Sequence, residues 1–264
     1  MAWAYNVRVL AIFAVVVLHT AAGFVGGVEK SDIFYGSMNW WAGNMFDSIT
    51  RWCVPVFVMI SGYFLLNSSD NAFVFFKKRF GRIFYPLAFW SILFSGWVLL
   101  KLSIKGDLDT AHLIIAKGFL MGRPYYHLWF LFMIPFLYAA TPYLKQVLVS
   151  LGKEYSFAFI CFAFLLSAFS ILFKNLVSFF GVEGGVGFFA NDFLLYIGYF
   201  MLGGYIKRHE VKLNPLYAVS GLLLAWSTTV VGSYFFTYEY FYNYLSFNTI
   251  IASVCIFFCC YEVF

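Results

Sequence analysis

The chain has 264 residues, of which 63% are hydrophobic, 24% aromatic and only 11% charged. Soluble domains carry about 25% charged residues, so a water-soluble globule is excluded, and the mean hydropathy of +0.83 reflects uncharged runs that recur from end to end. The formal net charge of +5 would suggest nucleic acid in a soluble chain, but here the basic residues fall mainly in short loops, where they orient a membrane protein. Nucleic-acid binding is not expected.

A span needs about 20 apolar residues. The first candidate, 9–28, follows Arg8 directly and contains one histidine and no charge. A secretory leader would end in a small-residue cleavage site and release a soluble remainder. Instead, further apolar segments follow at 41–66, 83–100, 127–144, 155–173, 187–206, 216–238 and 240–261. The expected fold is all-α, a polytopic transmembrane bundle of about eight helices. With the N-terminus in the cytoplasm, the inner loops collect Arg8, Lys77, Lys78, Arg79, Arg82, Lys145, Lys153, Lys207, Arg208 and Lys212. The longer outer loops hold Lys30, Lys101, Lys105, Lys117, Arg123 and Lys174, so the positive-inside rule favours this orientation. The loop 101–126 reads as an ordinary solvated loop, as a short lid or as part of an acceptor site.

No repeat or shift in composition marks a second domain, so 1–264 reads as one membrane-embedded domain. Cys53, Cys161, Cys255, Cys259 and Cys260 all lie in apolar runs, where a thiol behaves as a small hydrophobe. Neither a disulfide nor a metal site is expected.

Ionisable side chains at mid-bilayer cost several kcal/mol unless paired or hydrated, which singles out His19, Asp47 and Arg51. His19 lies eleven residues beyond Arg8, a helical rise of about 16 Å. Arg51 lies about 15 Å from the outer start of the second span by the same arithmetic. The two should share a depth, on antiparallel neighbouring helices. Asp47 and Arg51 are spaced i, i+4 with the acid first, the favourable order for a helical ion pair. That pair could equally neutralise itself and serve packing alone.

Together these residues resemble a known family. Arg8, ten residues and then His19 are similar to the first-helix signature of acyltransferase family 3, integral membrane enzymes that modify surface polysaccharides. RWCVPVFVMISGYFLL, residues 51–66, resembles the second-helix motif of that family. Arg79 and Arg82 in KKRFGRIFYP resemble its cytoplasmic arginine pair. YYHLWFL, residues 125–131, is similar to the entry of its fourth helix, particularly in the enterobacterial common antigen O-acetyltransferase branch. The motifs cover most of the first 145 residues, and beyond them the likeness rests on hydropathy. Family members usually have ten helices. A chain closing at Phe264 is therefore expected to lack the final pair.

The resemblance implies transfer of an acyl group, usually acetyl from cytoplasmic acetyl-CoA, to a hydroxyl of a polysaccharide or lipid-linked sugar across the bacterial inner membrane. His19 fits a general base or an acyl-carrying nucleophile. Arg51 fits an oxyanion donor, with Asp47 restraining it. Arg8, Lys77, Lys78, Arg79 and Arg82 would hold the phosphates of the donor, although four cations in a cytoplasmic loop are also what topology demands. His127 and Trp129 could meet the acceptor sugar or belong to the interfacial aromatic belt. Asp192 is a further acceptor candidate. Ser61-Gly62-Tyr63 lacks the setting of a hydrolase nucleophile and reads as close helix packing. A transporter or flippase for a lipid-linked saccharide is the competing function, but no inverted repeat supports it; a structural subunit ranks last.

Overall fold

A computed structural model describes residues 2–70, 72–120, 125, 127–179, 192–236 and 238–263. Arg123, Tyr126 and Gly187, where the sixth expected span starts, lie outside them. The described residues are helical with no strand, and they divide into two compact units, Met1–Asn67 with Val147–Phe264 and Ser68–Gln146.

The first unit starts with α1 (Ala2–Val25), whose buried residues are Ala4, Val7, Ala11, Ala14, Leu18, Ala21 and Val25. The alternating steps of three and four form a narrow seam made mostly of alanine, which lets neighbouring backbones come close. The second expected span is one apolar stretch but two helices, α2 (Met38–Thr50) and α3 (Cys53–Leu65), interrupted at Arg51 and Trp52. Pro55 explains the interruption. It has no N–H for the carbonyl of Arg51, four residues back, and its ring crowds that carbonyl. At the other end Ser37 caps α2, its hydroxyl accepting from the Trp40 N–H.

The helices that follow in this unit are α7 (Gly152–Phe179), α8 (Asp192–Leu195), α9 (Ile197–His209), α10 (Pro215–Phe235), α11 (Tyr238–Phe241) and α12 (Phe247–Val263). The closest packing joins α3 and α9. A methyl on Gly62 would overlap the Phe200 carbonyl oxygen, and one on Gly203 would overlap that of Met59. Gly204 meets Leu66 and Lys207 overlies Tyr63, so contacts advance along both helices together and the two run parallel. The reading of Ser61-Gly62-Tyr63 as a packing motif agrees with this.

The second unit contains α4 (Ala72–Lys105), α5 (Ala111–Leu120) and most of α6 (Trp129–Ser150). The expected loop with Lys77, Lys78, Arg79 and Arg82 is not a loop. These residues occupy the first turns of α4 instead, because Lys and Arg are good helix formers and no proline intervenes before Pro86.

Among the described residues, five stretches are long and apolar enough to span a bilayer: Ala2–Val25, Met38–Leu65, Phe73–Lys105, Gly152–Leu176 and Pro215–Phe235. The other expected spans fall short for visible reasons. Helix α6 carries Pro135, Pro142 and Lys145, and α8 and α9 are separated at Tyr196. Helix α12 has 17 residues among those described and starts at Phe247 instead of Tyr240, since Asn243 turns the chain by accepting from the Leu245 N–H and so delays the helix start.

Gly203→Ala should destabilise the chain by about 1–3 kcal/mol, the usual cost of overpacking, read as a lower unfolding midpoint in detergent. Gly23→Ala, with open space at the same atom, is the control and should leave the midpoint unchanged or raise it.

Candidate active site

The break after α2 leaves Arg51 at a helix end inside an apolar segment, with Asp47 one turn earlier. Asp47 is 1% exposed and Arg51 14%. Nη2 of Arg51 donates to Oδ2 of Asp47 at 2.5 Å, and Nη1 donates to the Tyr242 carbonyl oxygen at 3.1 Å. The guanidinium carbon lies 4.5 Å from the Tyr242 ring centre and 5.9 Å from that of Tyr244, within range of cation–π attraction. Two atoms remain unused: Nε of Arg51 and Oδ1 of Asp47 are buried and lack a hydrogen-bond partner among the described residues.

Tyr242 is fixed in its turn. Its hydroxyl donates to Oδ1 of Asn44 at 2.6 Å, and the same oxygen accepts from Ser48 Oγ at 3.0 Å and Ser233 Oγ at 2.9 Å. Nδ2 of Asn44 donates to the Val230 carbonyl. One buried amide thus links α2, α10 and the segment after α11, and through Tyr242 it sets the place of Arg51.

His19 stands beside the alanine seam of α1. Ala11, Ala14 and Leu18 pack with Cys53, and Val15, Trp52 and Tyr244 cover that cluster. The chain neighbours of His19 and Arg51, Leu18 and Trp52, therefore meet in one cluster, which places the two residues at one level, as the helical arithmetic requires. The His19 side chain is exposed on the rim of the seam, close enough for the charges of Arg51 and Asp47 to act on its imidazole. In the same unit, Arg8 extends from α1 over the Phe64 ring, 5.5 Å from its centre. Asp192 opens α8.

The remaining expected residues belong to the second unit. Asp70 binds Lys78 Nζ at 2.6 Å and Arg79 Nη1 at 3.0 Å, and these hydrogen bonds hold its carboxyl down at about 2. The link is present above the ordinary carboxylate range and is lost only as pH falls through that value. Lys145 Nζ reaches the Ser68 carbonyl on the same side. Lys77 and Arg82 are exposed, with no ion-pair partner among the described residues. His127 packs edge-on against Phe94, 4.5 Å between ring centres, and against Tyr125 at 5.0 Å. Phe94 follows Arg82 by twelve residues, about 18 Å along a helix. Arg82 and the residue that His127 packs against thus lie well apart along α4. Trp129 starts α6 and meets Phe130 edge-on.

Sequence reasoning missed Asn44, Tyr242, Tyr244 and Phe64. Asn44 offered a signal, being a polar amide within the second expected span and one turn before Ser48. The two tyrosines fall within the expected helix 240–261.

A family model described as an acyltransferase domain matches residues 1–263, through both units. No curated protein and no solved structure matches the chain. The family match spans nearly the whole sequence, including the polar centre on α1 to α3, and this helical, membrane-span-rich chain belongs to acyltransferase family 3.

Proposed function

We propose that the chain transfers acetyl from cytoplasmic acetyl-CoA to a hydroxyl of a cell-surface or lipid-linked polysaccharide at the bacterial inner membrane, with His19 and Arg51 at the reacting centre. The observation that carries this reading is the state of Arg51. It is locked by Asp47 and the Tyr242 carbonyl, level with His19, and its Nε–H is buried without a partner among the described residues.

An alcohol attacks a thioester slowly unless a base removes its proton. The acceptor oxygen bonds to the thioester carbonyl carbon while a ring nitrogen of His19 takes the hydroxyl proton. The carbonyl oxygen becomes an oxyanion, and the guanidinium, oriented in advance inside a low-dielectric bundle, stabilises it. The C–S bond then breaks, the acyl group stays on the sugar oxygen, and the departing thiolate receives the proton from His19. An acyl-histidine route splits the same exchange in two: the ring first displaces the thiolate, and the sugar oxygen then displaces the ring. Asp47 serves both routes by holding the guanidinium. Arg8, Lys77, Lys78, Arg79 and Arg82 supply cations for donor phosphates, while His127, Trp129 and Asp192 supply ring and polar groups for the acceptor. Residues 125–131 are the basis for placing the chain in the enterobacterial common antigen branch.

Mass spectrometry of surface glycans from cells with and without the gene should show an acetyl mass that depends on it, and an unchanged glycan profile would overturn the acceptor assignment. His19→Ala should lower turnover by at least about 100-fold, the usual contribution of general base catalysis, with the protein still inserted; near-normal acetylation would remove His19 from the centre. Arg51→Lys should also lose about 100-fold or more, because an ammonium cannot donate along two arms and still present a third N–H in the same plane. Full activity in that variant would reduce Arg51 to a charge. Asp70→Asn should lower the donor KM a few-fold at constant kcat by releasing Lys78 and Arg79, whereas an unchanged KM would take those two out of donor binding.

A further inference from the structure

Where α1 begins and α3 and α9 end, two cations from different helices converge on one aromatic pair. Lys207 Nζ lies 5.1 Å from the Tyr63 ring centre and 5.3 Å from that of Phe64. Arg8 approaches the same Phe64 ring to 5.5 Å. The two cationic centres are therefore no more than about 11 Å apart. Neither has a carboxylate within ion-pair distance among the described residues; Glu210, three positions after Lys207, is exposed and pairs with neither.

The placement of Lys207 is not loose. Gly203, one turn earlier, lies against the Met59 carbonyl, so α9 and α3 are held at backbone contact and Lys207 must project over Tyr63 and Phe64. The platform is braced by Trp3, edge-on to Tyr63 at 5.0 Å, Phe257 at 5.6 Å and Tyr261 at 5.1 Å. Two like charges no more than about 11 Å apart repel each other, and an anion of two charges that reaches both turns that repulsion into attraction.

We propose that Lys207 and Arg8 form a two-helix clamp for the diphosphate of the acyl-CoA donor, with Phe64 setting the gap between them. The clamp rests on the acyl-CoA reading above and adds a ligand, Lys207, that the first-helix motif does not contain. The length of the donor fits. Thirteen bonds separate the inner phosphorus of coenzyme A from its sulfur, and an extended chain advances about 1.2 Å per bond, giving about 16 Å. Arg8 and His19 are separated by about 16 Å along α1. A diphosphate held at the level of Arg8 therefore delivers the thioester to the level of His19.

The test is calorimetric binding to the purified full chain in nanodiscs, with three probes: coenzyme A, 3′-dephospho-coenzyme A and pantetheine. Lys207→Gln should weaken the first two about tenfold, the usual worth of a charge-assisted contact, and leave pantetheine unaffected. Lys207→Arg should recover most of that loss, which a misfolded variant could not do. Equal affinity of Lys207→Gln and wild type for coenzyme A would overturn the clamp and leave the acyl-CoA reading standing. So would a loss confined to coenzyme A with dephospho-coenzyme A unaffected, because the contact would then be to the 3′-phosphate. Absence of coenzyme A binding by the wild type would remove the donor reading itself, and the clamp with it.

Discussion

An arginine at mid-membrane depth is tolerated only when its donors have acceptors and its charge has a counterion, and Arg51 obtains these from three places. Asp47 supplies the charge from the preceding turn, the Tyr242 carbonyl receives a second arm, and two tyrosine rings cover the plane. Removing either ionic partner would leave the other buried and uncompensated, which costs about 3–5 kcal/mol. The neighbouring helices are arranged around this requirement: α2 ends here, α11 leads into it, and Asn44 ties α10 to the same tyrosine.

The break that frees Arg51 from regular helix comes from Pro55, while the small residues facing it come from α1. The alanine seam lets α1 approach close enough for Leu18 to reach Cys53, and this brings His19 to the level of the guanidinium. A bulkier seam would separate the two helices and with them the imidazole from the ion pair. Backbone proximity and placement of chemical groups are thus one design: glycine joins α3 to α9, and alanine joins α1 to α3.

Much of this arrangement is legible in the amino-acid sequence. Hydropathy identifies an all-helical membrane bundle, because twenty apolar residues in a row have few other uses. The i, i+4 spacing of Asp47 and Arg51 and the rise from Arg8 to His19 are properties of a single helix, so they follow from the chain alone. Contacts between distant segments are not legible. Hydropathy over 240–261 does not separate the tyrosines that cover Arg51 from the helix that follows, since the turn between them is held by short-range hydrogen bonds of Asn243 and Ser246, two polar residues within the otherwise apolar stretch 240–247. Helix continuity misleads in both directions. A proline divides the second expected span, and the cationic run that reads as a loop continues as the beginning of α4.

The partners of Arg51 also differ in when they are synthesised. Asp47 is four residues away, but Tyr242 is 191 residues further along the chain. At ribosomal rates of about 5–20 residues per second that interval is roughly 10–40 s. During it, the insertion machinery handles the second hydrophobic segment without its tyrosine cover. The short-range carboxylate makes that segment electrically neutral from the moment it emerges, so it can enter the lipid as a hydrophobic unit, and the aromatic cover is added when the segment after α11 arrives.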